Sequence, residues 1–266
     1  MNMPDIGLGT FRLQGQQVID SVRNGLEAGY RHIDTAQIYG NEAEVGQALA
    51  DSGVARAEVF VTTKVWTEHL GAAALVPSLK ESLRKLRLEQ LDLALIHWPS
   101  PRDAVPVAES MGALLEAREL GLTRAIGVSN FTNAHLDQAI AAVGAHNIAT
   151  NQVEIHPFLQ NRAVAGHAAA RGIHLTAYMP LAYGKVLHDP VIQRIAARHG
   201  VGPAQLTLAW LLQQGFAVIP SSTKRANQEI NLRVRDIVLT ADDDAALRAL
   251  DRNERIANPD FAPAWD

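Results

Sequence analysis

Residues 59–97 read VFVTTKVWTEHLGAAALVPSLKESLRKLRLEQLDLALIH. The two ends, Val59–Lys64 and Leu91–His97, are short and almost wholly apolar, the pattern of strands covered on both faces. Between them Leu75, Leu79, Leu83 and Leu86 recur at helical spacing, which predicts a helix over Ala72–Leu86. Pro77 is expected near its first turn, where a missing N–H is tolerated. Strand, helix and strand in this order form a βαβ unit, and its two strands run parallel.

The same alternation extends in both directions. Strands are expected at Asp5–Gly9, Tyr30–Asp34, Ala125–Ser129, Thr150–Glu154, His174–Ala177 and Ala217–Pro220. Helices are expected at Val18–Ala28, at Glu42–Asp51 behind an Asn41 N-cap, and at 107–120, 133–142, 162–171, 190–199, 203–214 and 241–250. A doubly wound dinucleotide fold would require GxGxxG after the first strand. Gly7-Leu-Gly9 is followed instead by Thr10 and Phe11, with no third glycine and no helix directly behind. Eight strand–helix units in about 250 residues fit an α/β (β/α)8 TIM barrel. With no linker or low-complexity tract in the chain, residues 1–266 are read as a single domain.

Composition narrows the functional classes. Hydrophobic residues are 47% and charged residues 20%, enough apolar material for a large core. With 24 Lys+Arg against 28 Asp+Glu the net charge is −4 and no like-charge block occurs, which argues against nucleic acid or an anionic membrane as partner. The absence of cysteine removes disulfides, thiolate metal sites and a Cys nucleophile. The first residues show no basic-then-apolar leader, and no apolar run reaches the ~18 residues of a membrane helix. A soluble, cytoplasmic, monomeric protein is expected. No metal-binding His pair of the HxxxH type and no GxSxG occurs.

In such barrels chemistry sits where the strands end at their C-terminal edge. There the sequence places Asp34 closing YRHID, Tyr39 in the loop behind it, Lys64 closing VFVTTK and His97 closing LDLALIH. Singly, each residue reads as readily as a cap or a solvated surface group. Together they put a carboxylate, a phenol, an ammonium and an imidazole at one mouth. A free phenol, with a pKa near 10, is a weak proton donor at neutral pH. A neighbouring ammonium is expected to lower that value, and a carboxylate to hold the ammonium in place. The imidazole can then orient a carbonyl by donating to it. Such a set protonates oxygen while hydride reaches carbon, and no side chain supplies hydride, so a cofactor is required.

These residues and their flanks resemble the aldo-keto reductase superfamily. The matching words are GLGTF (7–11), DTAQIYGNE (34–42), TTKVW (62–66), DLALIHWP (92–99), IGVSNF (126–131), NQVEIHPFLQ (151–160), AYMPLAYG (177–184) and IPSSTKR (219–225). The likeness is greatest to the bacterial branch that reduces 2,5-diketo-D-gluconate and methylglyoxal. It implies that Tyr39 donates the proton, that Lys64 and Asp34 tune it, and that His97 orients the carbonyl. It also implies NADPH as cofactor, with NADH possible. Ser129, Asn130 and Gln152 would hold the nicotinamide carboxamide, Tyr178 would stack on its ring, and Thr10 would be a further cofactor contact. Leu181 and Ala182 would offer backbone groups to the pyrophosphate. Ser222, Thr223, Lys224 and Arg225 would meet the 2′-phosphate at a helix N-terminus, and Asn231 would lie near the adenine. Phe11, Trp66, His97 and Trp98, with Trp265 from the tail, would line a pocket for a small carbonyl. Of the eight Trp and Tyr residues, Tyr39, Trp66, Trp98 and Tyr178 fall at expected site positions, which is not how core packing would distribute them.

Three positions depart from the family pattern. Met179 follows Tyr178 where a serine is frequent, so backbone groups must do more for the pyrophosphate. Ser221 and Asn227 stand where a lysine and an arginine are frequent, which leaves the choice between NADPH and NADH open. Two rival readings stay open as well: Lys64 as a Schiff-base lysine of an aldolase, and a non-catalytic barrel that only binds nicotinamide.

Overall fold

The computed structural model describes residues 3–266. Eight strands follow one another around the sheet in chain order: β1 (Leu8–Gly9), β2 (His32–Asp34), β3 (Phe60–Val65), β4 (Leu91–Ile96), β5 (Thr123–Ser129), β6 (Ile148–Glu154), β7 (His174–Tyr178) and β8 (Ala217–Val218). Every neighbouring pair is parallel. The sheet closes on itself through an Ile6–Val218 bridge, with Gly7 N–H 2.8 Å from Val218 O and Val218 N–H 2.8 Å from Asp5 O. Closure leaves no open edge. The expected (β/α)8 barrel is therefore what the chain forms. The first and last strands are shorter than expected. Pro220 has no N–H to continue the ladder, and Gly9 N–H reaches its carbonyl at 3.0 Å outside any regular strand.

Around the barrel lie α1 (Gly15–Ala28), α2 (Glu42–Asp51), α3 (Ala72–Leu86), α4 (Val107–Glu119), α5 (Asn133–Val143), α6 (Arg162–Ala169), α7 (Pro190–Arg198), α8 (Pro203–Gln213), α9 (Arg225–Leu232) and α10 (Ala241–Arg248). Two local expectations need correction. Pro77 lies inside α3 rather than in its first turn, so the carbonyl of Ala73 loses its usual partner one turn on. Asn41 precedes α2 but its side chain caps nothing there. Its Nδ2 donates instead to Thr10 O and Leu13 O, both at 2.9 Å, and its Oδ1 accepts from Thr35 Oγ1 at 2.9 Å. That side chain ties the loop after β1 to the loop after β2.

Strand residues alternate between helices and barrel interior. Val61, Val65, Ala94, Ile96, Ile126 and Val128 form an outward apolar layer, all fully buried, under the helical ring. The interior is partly polar: Thr150 and Thr176 hydroxyls meet at 2.9 Å, and His32 Nε2 lies 3.0 Å from Thr62 Oγ1. Gly127 lets the interior close, since a Cβ there would stand 2.7 Å from Thr150 O and 2.8 Å from the Leu95 side chain. Among the described residues no helix is long and apolar enough to cross a membrane. Gly127→Ala is expected to lower stability by about 1–3 kcal/mol, because the obstacle is largely backbone. Thermal or urea unfolding of the variant checks this, and an unchanged midpoint would contradict the packing described.

Candidate active site

The C-terminal ends of the strands bring Asp34, Lys64, His97 and Tyr39 into one cluster. β2 stops at Asp34, and a short 3-10 turn over Gln37–Tyr39 follows, ended by Gly40 at φ 68°. The turn is fixed from two sides. Gln14 Nε2 donates to Tyr39 O at 2.8 Å, while Gln37 Oε1 accepts the Trp66 N–H at 2.9 Å. Lys64, 1% exposed, donates to Asp34 Oδ1 at 2.5 Å, to Thr35 O at 2.8 Å and towards the Tyr39 hydroxyl at 3.4 Å. The other Asp34 oxygen accepts Gln152 Nε2 at 2.8 Å. The Tyr39 ring faces His97 edge-on at 5.7 Å. An amine holding Asp34, Thr35 and Tyr39 together is a poor candidate to attack a carbonyl, which disfavours the Schiff-base alternative.

Burial dominates the electrostatics. It drives the Tyr39 phenol well above its ordinary value, and the Asp34 and Tyr183 charges push the same way. This corrects the expectation of a lowered phenol: the ammonium leans towards Asp34, so exclusion of water outweighs it. Burial also lowers Lys64, against the opposing pull of Asp34. It holds His97 well below the usual imidazole value, with the Lys64 charge adding to the effect. At neutral pH the site therefore holds a protonated phenol beside a neutral imidazole. The His97 Nδ1 atom is buried without a partner.

Amide groups gather on the opposite rim. Asn130, at φ 60° after β5, donates to His97 O at 3.0 Å and to Ser129 Oγ at 3.2 Å. Ser129 Oγ in turn donates to Gln152 O at 2.7 Å. The Tyr178 hydroxyl donates to Asn130 Oδ1 at 2.7 Å, which fixes the ring at the end of β7. Two primary amides, a hydroxyl and a held aromatic ring suit a planar ring bearing a carboxamide, because amides pair donor with acceptor at matching spacing. Asn130 and Ser129 spend their donors within the rim, whereas Gln152 keeps one N–H and its Oε1 uncommitted beside the held Tyr178 ring, a pair that fits the carboxamide of a nicotinamide.

Other expected cofactor contacts are arranged differently. Thr10 is fully buried and its hydroxyl donates to Asp34 O at 3.1 Å, so it faces the protein and not the mouth. The Ala182 N–H is bonded to Met179 O at 2.9 Å within a turn whose residues 179, 182 and 183 have φ near 50°. It is not a ready donor for a pyrophosphate; Leu181 beside it is half-buried. At the far end, Ser222 Oγ accepts the Lys224 N–H at 3.2 Å, and Thr223 and Lys224 are exposed. Lys224 caps α9 by position. Arg225 is engaged with Glu27 at 2.6 Å and Glu229 at 2.9 Å, carboxylates that compete with any phosphate. Asn231 is buried on the inner side of α9.

The pocket wall is aromatic. Phe11 is 42% exposed and tilts on Tyr39 at 5.0 Å, and Trp66 stands edge-on to His97 at 5.2 Å. Trp98 is buried beneath Phe261 at 5.6 Å and Trp265 at 5.9 Å. Phe261, which sequence reasoning passed over, also meets Trp66 at 5.8 Å. The signal for it lay in the tail word FAPAW (261–265), where only the tryptophan drew notice.

The geometry is thus a parallel eightfold barrel with a carboxylate, an ammonium, a phenol and an imidazole gathered at its strand ends. The aldo/keto reductase family model matches residues 5–252, and the chain belongs to that family. It is 59% identical over the full length of both chains to methylglyoxal reductase DkgB of Salmonella typhimurium, and equally to that of Escherichia coli O157:H7. A crystal structure provisionally assigned as 2,5-diketo-D-gluconic acid reductase B superposes with a TM-score of 0.95 at 45% identity, covering 100% of this chain and 94% of that one.

The state of His97 can be measured. Its depressed value means that, as pH falls below about 6.5, the unfolded chain takes up a proton that the folded chain does not, so stability is undiminished above that pH and declines from there down to the lower value of the folded state. A His97 ring resonance that does not titrate between about pH 5.5 and 7.5 is expected by NMR. A midpoint near 6.5 would show a solvated imidazole instead.

Proposed function

We propose that the chain, acting as one monomeric barrel over residues 1–266, reduces small aldehydes and ketones with NADPH. Methylglyoxal and 2,5-diketo-D-gluconate, the latter giving 2-keto-L-gulonate, are the proposed substrates. The observation that carries this reading is the buried Lys64–Asp34 pair, 2.5 Å apart, set 3.4 Å from the Tyr39 hydroxyl. Tyr178, Asn130 and Gln152, with Ser129 behind them, would hold NADPH, which would supply the hydride for the carbonyl carbon.

The protein's own part is to place the carbonyl and deliver a proton. A neutral His97 donates to the carbonyl oxygen and fixes its direction. Tyr39, protonated at neutral pH, gives its hydroxyl proton to the same oxygen as negative charge develops there. The phenolate that remains is stabilised by Lys64, and Asp34 keeps the ammonium charged and aimed. Phe11, Trp66, Trp98 and Trp265 give the carbonyl an aromatic wall that suits a small substrate. The full-length likeness to methylglyoxal reductases supports the substrate.

Tyr39→Phe is expected to lower carbonyl reduction by about 10²–10⁴-fold while leaving NADPH affinity intact, since the lost group is a positioned acid. Loss of NADPH absorbance with methylglyoxal, set beside fluorescence titration of the cofactor, tests this; turnover close to wild type would refute the chemistry. The 2′-phosphate reading gives an ordered expectation. Lys224 forms no ion pair among the described residues, whereas Arg225 is shared by Glu27 and Glu229. Lys224→Ala should weaken NADPH about 10-fold or more without changing NADH, the scale of one charge-assisted bond. Arg225→Ala should cost less. Equal affinities for the two cofactors in the wild type would show that no residue here reads the 2′-phosphate.

A further inference from the structure

The segment after α10 has no regular structure, yet it is held firmly against the loop behind β6. The strongest point is a carboxylate that the proposed chemistry does not use. Glu154 ends β6 with no exposed surface. Its Oε1 accepts the Ile256 N–H at 2.8 Å and faces His156 Nε2 at 2.9 Å, while its Oε2 accepts the Ala257 N–H at 2.7 Å. The backbone around it holds the same segment. Phe158 O accepts the Arg252 and Glu254 N–H groups at 3.2 and 2.9 Å. Asn161 donates to Glu154 O at 2.6 Å and accepts Arg255 Nη2 at 3.0 Å. The Arg255 guanidinium then lies 3.6 Å over the Trp265 ring. Beyond Trp265, contacts through Trp98, Phe261 and Trp66 lead back to His97.

We infer that Glu154 is a positioning residue for the substrate pocket: it anchors the tail at Ile256 and Ala257 so that Phe261 and Trp265 stand as its outer wall. The inference rests on the carbonyl-reductase reading above. Its physical basis is the demand of the two amides. A carboxylate offers an acceptor at each oxygen, and hydrogen bonds to it are among the stronger ones. A glutamine of the same shape turns one acceptor into a donor, which then faces a backbone N–H. One amide loses its partner and the tail loses an anchor, while Lys64, Asp34 and Tyr39 are untouched. The polar ties of the tail to Phe158 O, Asn161 and Lys185 all act before Ile256, and beyond Ala257 the Asn133 N–H donates to Asp266, so losing the Glu154 anchor loosens the stretch that carries Phe261 and Trp265 and not the reacting groups.

The test compares Glu154→Gln and Arg255→Ala with the wild type. Three readouts are taken: KM and kcat for benzaldehyde with NADPH, the NADPH Kd by fluorescence, and trypsin cleavage after Arg252 in the absence of substrate. In Glu154→Gln the expected result is faster cleavage and a KM raised about tenfold, with kcat and NADPH Kd within about twofold. Arg255→Ala should move KM and cleavage in the same direction by less, and it decides the matter alone if the buried substitution prevents folding. Wild-type protection of the tail with unchanged KM would overturn the proposal, as would equal losses in KM, kcat and cofactor affinity. A wild type inactive on every carbonyl would overturn the functional reading and the substrate half of this inference, whereas the trypsin result judges the anchor alone.

Discussion

The Lys64–Asp34 ion pair constrains everything else at the mouth of the barrel. Both groups are 1% exposed, so neither charge is tolerable without the other. Removing one partner of such a pair costs about 3–5 kcal/mol, and the desolvation of both charges is offset only by good geometry and further hydrogen bonds. The structure supplies such bonds on both sides of the pair: the ammonium also donates to Thr35 O, and Gln152 Nε2 donates to the second carboxylate oxygen of Asp34. Strands far apart in sequence thereby converge on one point. A site built on this pair is rigid because its looser versions are unstable.

The same low-polarity setting sets the protonation states. Desolvation raises the half-buried Tyr39 phenol and lowers the buried His97 imidazole, so the uncharged form of each persists at neutral pH. The sequence alone suggested the opposite for Tyr39, since listing neighbours gives the sign of an ammonium but not the depth at which the phenol lies. Burial is a property of the closed barrel and cannot be read from residues 34–39.

What could be read was periodic or contiguous. Leu75, Leu79, Leu83 and Leu86 announced α3, and the apolar run Leu91–Ile96 announced β4. The strand-end position of Asp34, Lys64 and His97 followed from those runs, and only the (β/α)8 arithmetic was needed to bring them together. Long-range details stayed hidden. Asn41 had every local mark of an N-cap, but carbonyls of the preceding loop at Thr10 and Leu13 took its amide. Thr10 and the Ala182 N–H looked available until their partners, Asp34 O and Met179 O, were seen. Phe261 lay in a tail without periodicity, and its neighbours Trp66 and Trp98 are more than a hundred residues away in sequence. Arg225, expected at a phosphate, is held in part by Glu27 of a different helix, a contact that sequence spacing does not show.

The hydroxyl and imidazole groups inside the barrel have a bearing on how the chain finds its fold. Parallel apolar strands can slide past one another with little change in buried area, and a barrel has many near-equivalent staggers. Thr150 against Thr176 and His32 against Thr62 remove that degeneracy, since any shift of one strand would leave a hydrogen-bonding atom facing hydrocarbon. A penalty of that kind falls on every wrong stagger and on none of the correct one. Polar atoms in the lumen thus act as a key for strand register, adding little to the depth of the native state while raising the energy of its competitors.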